Sequence, residues 1–236
     1  MRFVLAVSFF ILAYTCLPAQ NEADSAFFFC PEAPVVKDHE GNVYSTVKIG
    51  RQCWMAENMR CTTSPTGKTW LKDPSFSISN PLFAAYYAVP VIQRYGLLYN
   101  WAAAMDTYDN QHKAKGGLNH RGICPLGWHL PDISEWETLF AYLGGTGIAG
   151  EKMKAMSQLW EPYTANLRDV GGFNATPAGS YTEDGYRYST QQALFWSATP
   201  FNKIESWCAI IYDFKTEIYN YLDYKCYGHS VRCVKD

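Results

Sequence analysis

The sequence predicts one α+β domain of roughly 200 residues, entered through a leader and a short linker. Three observations carry this. Two helix-period stretches, around 133–143 and 149–160, lie between β-patterned segments on either side. From residue 171 onward, short β runs follow one another at turn-sized intervals. The composition is aromatic and sparsely charged, with 16% Phe, Trp and Tyr against 18% Asp, Glu, Lys and Arg, which suits sheets packed through large rings.

The elements read in order as follows. Arg2 followed by the apolar run Phe3–Tyr14 has the form of a secretory signal peptide, assigned to residues 1–20. Cys16 ends that run and raises the question of lipidation, but Thr15 and bulky Tyr14 before it fit an acylation site poorly. Residues 21–34 read as a linker and 35–236 as the domain. Val35-Val36, a turn at Glu40-Gly41-Asn42 and the β-branched return Val43–Ile49 make a hairpin, and Gly50-Arg51 turns the chain into QCWMAENMR. Residues 62–94 are rich in Ser, Thr, Pro and Gly and read as a long surface loop, with one helical turn around 83–88. GLLYNWAAAMD passes from strand to helix near Trp101, and 106–122 is a second polar loop.

Asp132 precedes the stripe Ile133, Trp136, Leu139, Phe140 and Leu143. Glu135 lies three residues on, so a capping box is expected there, and Gly144-Gly145 ends the helix. The next stretch, AGEKMKAMSQLW, reads as a second amphipathic helix with Met153, Met156 and Trp160 inward. Then come a hairpin turning at Asp184-Gly185 and the strands ALFWSATP, SWCAIIYDF, EIYNYLDY and HSVRCVKD.

Several function classes fall away on these residues. A net charge of −2 without a basic stripe gives nucleic acid nothing to bind. No later apolar run reaches the ~20 residues of a membrane helix. No Cys-x-x-Cys or clustered Cys/His spacing proposes a metal, no glycine loop cradles phosphate, and no Gly-x-Ser-x-Gly proposes a nucleophile. No cofactor is expected. Among the scattered histidines, His129 beside Trp128 reads as a hydrogen-bonded structural residue, while His112 and His120 read as solvated loop residues near Asp109. Eight cysteines are present, and loss of the leader removes Cys16. Six of the remaining seven can then pair in an oxidising compartment, with one left free.

GNVYSTVKIGRQCWMAENMR, YGLLYNWAAAMD, GICPLGWHLPDISEWETL, GGFNATPAGSY, FWSATP and GHSVRCVKD, in this order, resemble the Fibrobacter succinogenes major paralogous domain over roughly 35–236. The resemblance implies an exported or surface protein of Bacteroidota-like or Fibrobacter-like bacteria. It also implies a C-type-lectin-like fold, with mixed or antiparallel twisted sheets, two helices and long loops. GWHLPDISEWE and GHSVRCV more distantly look like parts of formylglycine-generating enzymes. The paired C-terminal cysteines of that chemistry do not carry over, since Cys208 and Cys226 fall in different strands. The calcium-ligand motifs of sugar-binding lectins, Glu-Pro-Asn, Gln-Pro-Asp and Trp-Asn-Asp, are missing as well.

The same resemblance implies a bridge from Cys124 to Cys233, because lectin-like folds set the entry of the first helix beside the last strand. Cys53–Cys61 and Cys208–Cys226 are the next expected pairs. Cys30 is then left over, unless it replaces a member of one pair. Trp54, Trp101, Trp128, Trp136 and Trp196 are expected in the core. Trp70, Trp207, Tyr219 and Tyr221 are the aromatic residues expected at a ligand surface. The expected function is a secreted or cell-surface, non-catalytic binding or adhesion module that shows loops 62–94 and 106–122 to a protein or glycan. The alternatives are a divergent oxidase using Cys208 or Cys226, and a purely structural envelope protein.

Overall fold

The computed structural model describes residues 29–70, 84–85, 89–107, 120–155, 159–160, 169 and 171–236. The leader, Cys16, most of the linker, Met156, His112 and Asp109 lie outside the described residues. The first hairpin joins β1 (Val35–Lys37) to β2 (Val43–Ile49). Its turn is held by the Asp38 carboxylate, which accepts from Glu40 N (2.9 Å), Asn42 N (3.0 Å), Asn42 Nδ2 (2.8 Å) and the Tyr44 hydroxyl (2.7 Å). β2 continues antiparallel into β3 (Gln52–Met55).

A short β4 (Ala84–Ala85) precedes helix α1 (Val89–Tyr95), and β4 pairs with β5 (Leu98–Tyr99). Helix α1 falls in the stretch read as loop from sequence. Gly96 ends it at φ 75°, where a Cβ would stand 2.7 Å from the Met59 carbonyl oxygen. Helix α2 (Trp101–Ala104) is one buried turn whose Asn100 side chain accepts from Ala103 N at 2.9 Å.

After β6 (Trp128–His129) comes α3 (Ile133–Tyr142), with the expected capping box. Asp132 Oδ1 accepts from Glu135 N (2.9 Å), and Glu135 Oε2 accepts from Asp132 N (2.9 Å). Helix α4 (Thr146–Met153) starts earlier than its sequence pattern and stops at Met153. Lys154 is extended there, bridges Ala175, and donates its buried ammonium to the Asp213 (2.8 Å) and Lys215 (2.7 Å) carbonyls. Tertiary hydrogen bonds thus outweigh helix propensity at this lysine. Four helices stand among the described residues: the two expected amphipathic ones, the short α2 at the strand-to-helix passage near Trp101, and α1. None of them is long and apolar enough to cross a membrane.

The remaining strands are β7 (Ser180–Thr182), β8 (Gly185–Arg187), β9 (Gln192–Pro200), β10 (Glu205–Tyr212), β11 (Ile218–Tyr224) and β12 (Val234–Lys235). The result is one mixed α+β unit of antiparallel sheets. The larger runs β1-β2-β3-β12-β6 and the second runs β11-β10-β9, with two-stranded pairs β4-β5 and β7-β8. The last strand is seated between early ones: Val234 pairs with Trp54 on one side and His129 on the other. Trp54, Trp136, Phe173 and Phe195 stack in the core below α3, with neighbouring centroids 4.8–5.9 Å apart. Trp101, Trp128 and Trp196 are buried as well.

His129 ties this junction together. Its Nδ1 lies 2.7 Å from Asp236 Oδ1 and its Nε2 2.8 Å from Glu135 Oε1, so both ring nitrogens meet carboxylates. Burial pulls the imidazole down, but the hydrogen bonds and charges of Glu135 and Asp236 outweigh it and raise it above 6.5. The stabilisation is therefore full below the unfolded value and fades as pH climbs through the raised folded one. The unfolding midpoint is expected to fall from slightly acid to mildly alkaline pH, with His129→Gln flattening that slope. Thermal unfolding of both proteins across this range checks it, and an unchanged slope in the variant removes His129 as its source.

Candidate functional site

Strand alternation builds the site. On one face of the three-stranded sheet stand Gln192 and Leu194 of β9, Ile210 and Tyr212 of β10, and Tyr221 and Asp223 of β11. The other face sends Ala193, Phe195, Ala209, Ile211 and Ile218 into the core around Trp136. The β7-β8 hairpin closes over the first face. Tyr181 and Gly228 exchange backbone hydrogen bonds at 2.9 and 2.8 Å, and Gly179 bridges Ala193. Gly179 sits at φ 69°, and a Cβ there would come within 2.2 Å of the Arg187 carbonyl, so only glycine allows this approach.

An open cleft of about 320 Å³ lies between hairpin and sheet. Four phenol rings line it: Tyr188, Tyr212, Tyr221 and Tyr227. Tyr188 is held at φ 60°, in the left-handed region that bulky residues avoid, by its carbonyl accepting from Gln191 N (3.1 Å) and Gln192 N (3.0 Å). Three carboxylates line it too: Glu183, Asp184 and Asp223. The Tyr227 hydroxyl donates to Glu183, which lowers that carboxyl. Burial and the same bond raise the Tyr227 phenol. Burial, then neighbouring charge, also raises Tyr212 and Tyr221. At neutral pH the three phenols are neutral donors and Glu183 is charged.

Asp223 accepts from Tyr224 N at 2.9 Å, and its Oδ2 lies 3.0 Å from Nε2 of fully buried His229. The His229 ring packs on Trp196 at 4.2 Å between centroids, which fixes the carboxylate from below. Among the described residues no three His, Cys, Asp or Glu side chains gather as a metal-binding group. The cleft can hold an organic ligand by ring stacking and by hydrogen bonds to phenols and carboxylates.

Residues 47–235 match the family model of the Fibrobacter succinogenes major domain. The chain belongs to this family. No curated protein and no solved structure matches it. The matched span of the Fibrobacter succinogenes major domain starts inside β2 and holds the whole cleft, together with both Cys124 and Cys233.

The four aromatic residues selected from sequence are not brought together. Tyr221 lines the cleft, and Tyr219 stands beside it with its ring 6.2 Å from that of Tyr212. Trp207 pairs with Leu222, one step out of phase with Cys208–Tyr221, and packs on Phe201 at 5.8 Å, outside the cleft. Trp70 is only 6% exposed and meets Tyr99 edge-on at 5.6 Å, so it lies in the core and not at the surface where it was expected. The loop expected to display it is tied down at its start, where Asp106 accepts from Ser64 (2.5 Å) and Thr66 (2.6 Å). Sequence reading missed Tyr188, Tyr212, Tyr227 and all three carboxylates. One signal was present: Tyr219, Tyr221 and Asp223 alternate in a single strand and share a face.

The cysteines divide similarly. Cys124 and Cys233 are bonded, with Cα atoms 5.9 Å apart. Cys53 does not pair with Cys61. It bonds Cys30, whose Cα is 5.6 Å away and whose side chain is buried. Thr46 N donates to the Pro34 carbonyl, holding the end of the stretch read as linker against β2. Cys61 is buried, with its sulfur 3.8 Å from the Tyr99 hydroxyl. Cys208 and Cys226 are not bonded either. Cys208 faces Tyr221 in the ladder, which ends at Glu205–Tyr224 before Cys226 is reached. Burial pushes all three free thiols up, away from the reactive thiolate form.

Proposed function

We propose that this protein is an exported, surface-displayed, non-catalytic binding module on a C-type-lectin-like scaffold, with the tyrosine and carboxylate cleft as its ligand seat. The observation that carries the reading is the cleft itself. It is open and walled by four phenols, and its carboxylates are held by a sheet and a hairpin rather than by loose loops. The scaffold reading is supported by the return of β12 between β3 and β6 and by the Cys124–Cys233 bridge to the entry of α3. Export is supported by two disulfides and by the leader pattern. The partner is a protein or a glycan; a net charge of −2 leaves nucleic acid aside. The oxidase alternative needs two reactive thiols, and Cys208 and Cys226 are unbonded thiols raised by burial.

The test is an array of glycans and of surface proteins probed with the mature chain and with Tyr221→Ala. Tyr221 is 47% exposed, so the variant keeps the fold. A bound class whose affinity drops about tenfold or more in the variant is the expected outcome. Silence across broad arrays, or binding indifferent to Tyr221, counts against the cleft.

A further inference from the structure

We propose that the cleft recognises a lysine or arginine side chain presented by an extended segment of a partner polypeptide. This rests on the binding reading above and names the chemistry of its ligand.

Charge is the first argument. Glu183, Asp184 and Asp223 line the cleft, and no lysine or arginine is among its lining residues. The carboxylates do not converge as metal ligands, so the matching charge belongs to an organic cation. Ring faces are the second argument. A phenol face carries negative potential and attracts ammonium or guanidinium groups within about 6 Å. Four such rings surround the acids, and their apolar surfaces suit the aliphatic stem of a lysine or arginine. A neutral sugar would use the rings and bring no positive charge to the three carboxylates.

The protein's own chain supplies a precedent at the rim. The Lys215 ammonium stands 4.9 Å from the Tyr219 ring, 5.0 Å from Tyr212 and 5.6 Å from Phe214. Tyr212 belongs to this rim cluster and to the cleft, so the two aromatic surfaces are continuous. A polypeptide source is favoured by the sheet edge. In the order β11-β10-β9, β11 has a strand neighbour on one side only among the described residues. An extended peptide running beside it would place alternate side chains on the face of Tyr219, Tyr221 and Asp223.

The experiment measures binding of labelled oligolysine and oligoarginine to the mature chain. Gly-Ser peptides, oligoglutamate and neutral oligosaccharides serve as comparison probes. The variants are Glu183→Gln/Asp184→Asn, Tyr221→Ala, Tyr221→Phe, and Glu32→Gln as a charge change away from the cleft. The expected result is selective binding of the basic peptides, weakened about tenfold in the paired carboxylate variant and in Tyr221→Ala. Tyr221→Phe and Glu32→Gln should keep it. Equal weakening by Glu32→Gln would reduce the effect to general charge and overturn the proposal. Oligosaccharide binding that depends on Tyr221 but not on the carboxylates would also overturn it, while leaving the binding-module reading intact. If no probe binds and the arrays are silent too, both readings fall.

Discussion

Arg232→Met is expected to destabilise the fold by about 3–5 kcal/mol, the cost of emptying a buried, fully bonded charge site. Arg232 is completely buried. Its Nε donates to Asn58 Oδ1 (3.1 Å), Nη1 to the carbonyls of Met55 (3.1 Å) and Phe173, and Nη2 to Asn58 Oδ1 (2.5 Å) and the Asn174 carbonyl (3.4 Å). The guanidinium plane also lies over Phe173 and Phe195, 4.5 and 5.5 Å from their centroids. Burial pulls its pKa down, and the charges of Glu57 and Asp169 act the other way. Methionine restores volume but leaves these acceptors facing an apolar group, each a desolvated oxygen without a donor. At about 2–4 °C per kcal/mol for a chain of this size, the midpoint should drop by roughly 10 °C. Arg232→Lys should fall between, since an ammonium cannot reproduce the planar fork. Calorimetry of the three proteins decides it. A shift within experimental error in Arg232→Met would mean that the carbonyl cage is satisfied without the arginine.

Cys124→Ala/Cys233→Ala should cost a similar amount. The bridge spans 109 residues of sequence, and constraining a loop of that size in the unfolded chain is worth about 4–5 kcal/mol in the chain-entropy model. The Cys30–Cys53 bridge spans 23, for which the same model gives about 3 kcal/mol. The expected ranking is therefore a larger loss for the long bridge, read from denaturant midpoints of the two double variants. The tertiary setting points the same way. Cys233 O accepts from Met55 N and Val231 O from Met59 N, both at 2.9 Å, so the long bridge clamps the segment that carries Arg232. A reversed ranking would show that native contacts, and not loop closure, dominate the difference.

Local chemistry is what sequence reading recovered. Asp132 and Glu135 cap α3 because the partners of a capping box are three residues apart. Asp184-Gly185 turns β7 into β8 because Gly185 takes φ 87° without strain. The helical stripe of Trp136, Leu139 and Phe140 is buried as its spacing required. Helix α1 was missed because seven residues with a proline in the first turn carry little periodic signal. Cys30–Cys53 could be named only as a substitution within a pair. Its partners meet because the chain before β1 folds back on β2.

By itself the sequence determined α3 with its cap, most of the strands, five core tryptophans and the family, and the family resemblance implied the junction of the last strand with the entry of α3. These rest on short-range periodicity, capping and a set of motifs kept in order. The tertiary structure alone decided the cleft. Tyr221 and Asp223 share one face of β11, but Glu183, Tyr188, Tyr212 and Tyr227 come from other stretches of chain, and no spacing relates them to that strand. Strand register sets Tyr212 against Gln192 and Cys208 against Tyr221, and the Gly179–Ala193 and Tyr181–Gly228 bridges seat the hairpin over that face. Register is a property of paired strands, so a one-residue slip would turn the same tyrosines into the core and leave no cleft.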